Sequence, residues 1–86
     1  MSQQINKILK KKFLDIDTTR CEYPNCNSEY GLTFAHRHKR RFYTNKSMLT
    51  DLNQVVLLCL KHHMLIEYDK QATIDLFNKL RGRDIL

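Results

Sequence analysis

The sequence predicts a small α+β domain stapled by a metal ion, and three observations carry that expectation. The chain has 86 residues, a length at which a hydrophobic core is marginal and a metal or disulfide often assists. Apolar periodicity runs from helical to alternating and back to helical along the chain. The three cysteines fall as C-x4-C (Cys21, Cys26) and, with His62, as C-x2-H (Cys59, His62). Two such clips from separate parts of a chain can close one tetrahedral Zn²⁺ site.

The elements follow in order. Residues 1–16 hold an amphipathic helix, with Ile5, Ile8, Leu9 and Phe13 on one side and lysines on the other. "CEYPNCNSEY" reads as a turn, with Pro24 and Asn25 between the cysteines and Gly31 beyond. "LTFAH" alternates and suits a short strand. A basic run and a polar loop, Tyr43 to Asp51, lead to "VVLLCL", a second strand running into the Cys59 turn. From His62 the pattern turns helical. A C-terminal helix within residues 71–83 is expected to bury Ile74, Phe77 and Leu80, with Gly82 as its cap. Leu57, Leu58, Leu65 and Ile66 are assigned to the core. All 86 residues form one domain, with residues 21–68 as its stapled centre.

Lys and Arg number 15 against 9 acids, a formal charge of +6 and a pI near 9.4. That balance favours a polyanionic partner, most simply nucleic acid. The densest run is Arg37, His38, Lys39, Arg40 and Arg41, the expected contacts to backbone phosphates. No apolar run is long enough to span a bilayer, and no signal-peptide core opens the chain, so a soluble, cytoplasmic protein is expected. Three cysteines without a secretory signal argue against a disulfide framework. The C-x2-H spacing favours His62 over His63 as the fourth zinc ligand.

With the zinc clips set aside, His36 ends the first strand, Asn53 opens the second, and His63 begins the following helix. The order His, Asn, His between C-x4-C and C-x2-H resembles the HNH endonuclease family, over roughly Cys21 to Tyr68. The resemblance implies a ββα-metal (HNH, or His-Me finger) core with flanking N- and C-terminal helices, and DNA as substrate. It implies His36 as general base, His63 as ligand of a catalytic divalent cation (Mg²⁺, Mn²⁺ or Ni²⁺), and Asn53 pinning the loop between the strands. The zinc would be structural, since four protein ligands leave it no open position. A neutral imidazole suits the base role because its pKa lies near working pH.

One position departs from the family pattern. In the family the residue before the base is usually an aspartate, or sometimes a histidine, that supplies a second cation ligand, and here it is Ala35. A single imidazole binds Mg²⁺ poorly, since that ion prefers oxygen. The alternative is therefore a degenerate HNH-fold zinc module that binds DNA or a protein without cleaving. A chain this short leaves room for little beyond the core. A homodimer or a larger nucleoprotein assembly, of phage packaging or restriction type, is the expected setting on family analogy.

Overall fold

The computed structural model describes residues 2–84. Helix α1 (Ser2–Asp15) is followed by strand β1 (Leu32–His36) and by 3-10 turns at Arg40–Phe42, Lys46–Thr50 and Leu52–Gln54. Strand β2 (Val55–Cys59), helix α2 (Leu60–Glu67) and helix α3 (Lys70–Arg81) complete the described residues. The α+β expectation holds. Met1, assigned to the first helix, lies outside the described residues.

The strands form an antiparallel pair in which Leu32 faces Cys59 and His36 faces Val55. All of β2 is buried, which explains its unbroken apolar sequence. On one face Val55 and Leu57 meet Leu9 and Phe13 of α1, with Phe34 stacked on Phe13 at 5.6 Å. On the other, Val56, Leu58 and Ala35 meet Ile66 of α2 and Leu76 and Phe77 of α3. A strand covered on both faces has no polar side and so no alternation to read.

The edge of β2 away from β1 is covered too. The Glu22 amide donates to the Leu57 carbonyl (2.8 Å), and the Leu57 amide donates to Glu22 Oε1 (2.8 Å). Arg81, in the last turn of α3, donates to the same Glu22 oxygen (2.7 Å) and to the Leu52 (2.7 Å) and Val55 (3.1 Å) carbonyls. One arginine thus joins the cysteine loop, β2 and the end of α3. Both side chains of this ion pair are mostly buried.

Helix ends depart from the expected bounds for identifiable reasons. α1 stops at Asp15 because Asp17 adopts a left-handed φ of 58°. The Thr18 amide then reaches the Phe13 carbonyl (2.9 Å) and the Asp17 amide reaches Leu14 (3.0 Å), a Schellman closure made without glycine. α3 begins at Lys70 rather than 71, since the Asp69 carboxylate accepts from the Ala72 amide (3.0 Å) as its N-cap. It ends at Arg81, with Gly82 at φ 79°. Two core assignments are corrected. Ile74 and Leu65 are exposed, and Leu76 takes the buried position on α3 beside Phe77. The Tyr43–Asp51 loop is partly helical and buries Tyr43 and Leu49.

Removing the shared guanidinium leaves Glu22 as an unpaired, largely buried charge. Arg81→Met is expected to lower the unfolding free energy by about 3 kcal/mol, read by urea denaturation at saturating Zn²⁺. A loss below about 1 kcal/mol would show the clamp to be slack.

Candidate metal centre and histidine cleft

The two clips converge. Ligand atoms of Cys21, Cys26, Cys59 and His62 all lie within 4.8 Å of one another, a group that can hold a metal ion. Tyr23-Pro24-Asn25-Cys26 closes as a β-turn, the Cys26 amide donating to the Tyr23 carbonyl (3.0 Å). Pro24 at the second position and Asn25 at φ 66° give it type II character. Cys59 caps the start of α2, which puts His62 one turn along on the same side. His62 Nδ1 lies 3.6 Å from Cys21 Sγ and 3.2 Å from Cys59 Sγ. A tetrahedral Zn²⁺ with Zn–S near 2.3 Å and Zn–N near 2.05 Å sets sulfur and nitrogen about 3.5 Å apart. The donor set fits zinc.

Surroundings support the ligands. The Tyr23 ring lies parallel to the His62 imidazole at 4.1 Å and fixes its plane. Burial pushes the Cys21 thiol up. At Cys59 burial acts the same way but is outweighed by the His62 and Lys61 amides together with Cys21 and Cys26, so that thiol is pulled down. A helix start favours a thiolate for the same reason.

His63, the next residue on α2, turns away from the cysteines. Thr33 Oγ1 has one proton, which it donates to the Leu58 carbonyl (2.9 Å). Its contact with His63 Nδ1 (2.7 Å) must therefore be donated by the imidazole. His63 Nδ1 therefore carries a proton, and its Nε2 has no hydrogen-bond partner among the described residues. At the end of β1, His36 Nε2 lies 2.8 Å from the Leu49 carbonyl, which can only accept. His36 thus carries its proton on Nε2 and leaves Nδ1 free. Burial lowers the His36 pKa below its ordinary value; the Leu49 carbonyl opposes this, and the charges of Arg40 and His63 add to the lowering. Both histidines line one cleft of about 950 Å³, together with Ala35, Arg40, Phe42 and Tyr68.

The remaining assigned residues divide. Lys39, Arg40 and Arg41 are exposed around the cleft. Arg37, assigned to phosphate contact, turns inward instead. Its side chain is 4% exposed, packs over Phe77 at 5.3 Å, and donates to Asn53 Oδ1 (3.0 Å), Asn78 Oδ1 (3.3 Å) and the Gly82 carbonyl. Alternation past His36 points it at the α3 side of the sheet. His38, also assigned to phosphate contact, pairs with Asp84. Ala35 itself is 1% exposed and packs in the α2–α3 core. Asn53 holds Arg37 and reaches the Arg81 carbonyl (3.4 Å), so it ties β1 to the end of α3. The inter-strand loop is held by the His36–Leu49 contact and by the Asp51 carboxylate on the Asn53 amide (2.9 Å). Tyr23, Thr33 and Asp84 carry no sequence signal for these roles.

Zinc-loaded protein is expected to contain about one Zn²⁺ per chain, with Co²⁺ substitution giving thiolate-to-metal absorption. His62→Ala should weaken Zn²⁺ binding by more than the roughly 10–100-fold that losing an outer-shell partner costs, and His63→Ala should leave it intact. The reverse result would exchange the two histidines. A second expectation concerns acid. Folded His36 binds its proton less readily than the unfolded chain does at 6.5. Its stabilisation is complete above that value and is lost as pH falls toward the lower folded pKa. His36→Gln should therefore flatten the fall in denaturation midpoint between about pH 7.5 and 5.5. An unchanged slope would show that His36 is not held neutral.

No family model, curated protein or solved structure matches this chain.

Proposed function

We propose that the chain is a zinc-stapled ββα-metal domain of HNH type that binds DNA along its phosphates and hydrolyses phosphodiester bonds. One observation carries the reading most. Two imidazoles lining one basic cleft are each held by one internal hydrogen bond, and among the described residues neither uses its other ring nitrogen.

In this reading His36 Nδ1 accepts a proton from water as the oxygen attacks phosphorus in line with the departing sugar oxygen. The lowered pKa keeps the base unprotonated at neutral pH. Lys39, Arg40 and Arg41 hold the flanking phosphates. His63 Nε2 is the protein ligand for a divalent cation, which when bound stabilises negative charge on the phosphate and the leaving oxygen. Among the described residues no second cluster of three or more metal-ligating side chains adjoins His63. Water and phosphate oxygens would have to supply the rest of such a cation's shell, and a nitrogen ligand would favour Mn²⁺ or Ni²⁺ over Mg²⁺. Asn53 is a positioning residue, acting through Arg37 and the end of α3. The Cys21, Cys26, Cys59 and His62 site is structural zinc.

A second reading has its own observation. Ala35, which lines the cleft beside His36, offers no ligand atom where a second cation ligand is expected, which favours a zinc-stabilised module that binds nucleic acid or a protein without cutting. Plasmid nicking with Mn²⁺, Ni²⁺ or Mg²⁺ separates the two. Wild type is expected to nick in a metal-dependent way, with the acid limb of the rate profile below pH 6.5 because the base is depressed. His36→Ala should lose about 100-fold or more, the scale of a missing general base. Cleavage no greater than that of His36→Ala, with all three ions, would leave the binding module standing.

A further inference from the structure

Among the described residues the cleft carries two largely exposed aromatic side chains. Phe42 is 62% exposed and Tyr68 is 83% exposed, and both line the same cleft as His36 and His63. Neither stands on a slack segment. Phe42 closes the Arg40–Phe42 turn, its amide bonded to the Lys39 carbonyl (2.9 Å). The next residue, Tyr43, is buried, donates to Gln54 Oε1 (2.9 Å) and accepts from the His38 amide (3.1 Å). With Tyr43 anchored inward, Phe42 is held outward. Arg41 lies 5.1 Å over one face of the Phe42 ring, and the ring's high exposure leaves the other face open. Tyr68 caps the end of α2, its amide bonded to the Ile66 carbonyl.

Exposed rings in water gain when a flat apolar partner covers them. The partner here also meets Lys39, Arg40, Arg41 and Lys70 along the cleft, against two carboxylates, Glu67 and Asp84. Asp84 is already engaged by His38 and Gln54. A ligand with flat rings and regularly spaced negative charge satisfies both demands. Duplex DNA hides its base faces in the stack, whereas single-stranded or locally unpaired nucleic acid offers them. We propose that Phe42 and Tyr68 are base-stacking platforms and that the cleft takes single-stranded or unpaired nucleotides in preference to intact duplex. This rests on the nucleic-acid reading above and assigns its substrate form.

The test is fluorescence anisotropy on the zinc-loaded protein without added Mg²⁺ or Mn²⁺, at about 50 mM salt so that phosphate contacts are not screened. Labelled single-stranded DNA, single-stranded RNA and matched duplex serve as probes. At least one single strand is expected to bind more tightly than duplex. Phe42→Ala and Tyr68→Ala should each weaken that binding by roughly 5- to 100-fold, with duplex binding changed less than about 2-fold. Tyr30→Ala, at an equally exposed ring outside the cleft, should change nothing. Duplex binding equal to or tighter than both single strands overturns the proposal, as does insensitivity to both substitutions, while either result leaves the nucleic-acid reading intact. Binding to none of the probes overturns both.

Discussion

Strand β2 has no solvent-facing side, and a two-stranded sheet cannot meet that condition alone. Five consecutive buried residues need cover above, below and along the free edge, or their amides and apolar side chains remain in water. α1 supplies the lower layer, α2 and α3 the upper, and the Glu22 segment the edge. These covering pieces come from both ends of the chain, so closing them costs loop entropy that a small core offsets only narrowly. The cysteine cluster and the Glu22–Arg81 pair both lie on these closures. Each joins residues about 40 or more apart.

The two ends of β2 carry different chemistry as a result. At its Cys59 end the chain enters the cysteine cluster and α2 together. At its Val55 end it meets Asn53, Gln54 and Arg37, a polar network buried beside the apolar core. Arg37 shows why that network is tolerated, since its guanidinium has several acceptors and lies over the Phe77 ring. Among the described residues no buried side-chain polar atom lacks a partner. A charge so well satisfied is not available to a phosphate. Position within a basic run is therefore a poor guide to which cations face solvent. The alternation of the backbone decides it, and here it turns Arg37 in while Lys39, Arg40 and Arg41 stay out.

Much of the architecture could be read from local pattern. "LTFAH" alternates and forms β1, and the cysteine spacing does bring four ligands together. What escaped the reading depended on partners distant in sequence. Ile74 matches a helical repeat as well as Leu76 does, and only the position of the sheet decides between them. Asp17 takes the left-handed position that glycine usually marks, and Asp69 caps α3 one turn before its apolar pattern becomes visible. In the cleft, His36 and His63 stand out as residue types, but their tautomers depend on Leu49 and Thr33. A backbone carbonyl and a common threonine announce nothing in a sequence.

The adjacency of His62 and His63 links the two centres physically. Consecutive residues on a helix point about 100° apart, so one imidazole can face the cysteines while the next faces the cleft. Once His62 and Cys59 are fixed on a common ion, the rotation of the first turn of α2 is fixed as well. His63 is then aimed without a restraint of its own beyond the Thr33 hydroxyl. A slip of one residue at the start of this helix would put either Met64 at the cleft or Lys61 at the cysteines, so one of the two centres would lose its imidazole. The cysteine cluster therefore does more than hold a small fold closed. By placing His62 against the cysteines it also sets the direction of His63, which lines the cleft with His36.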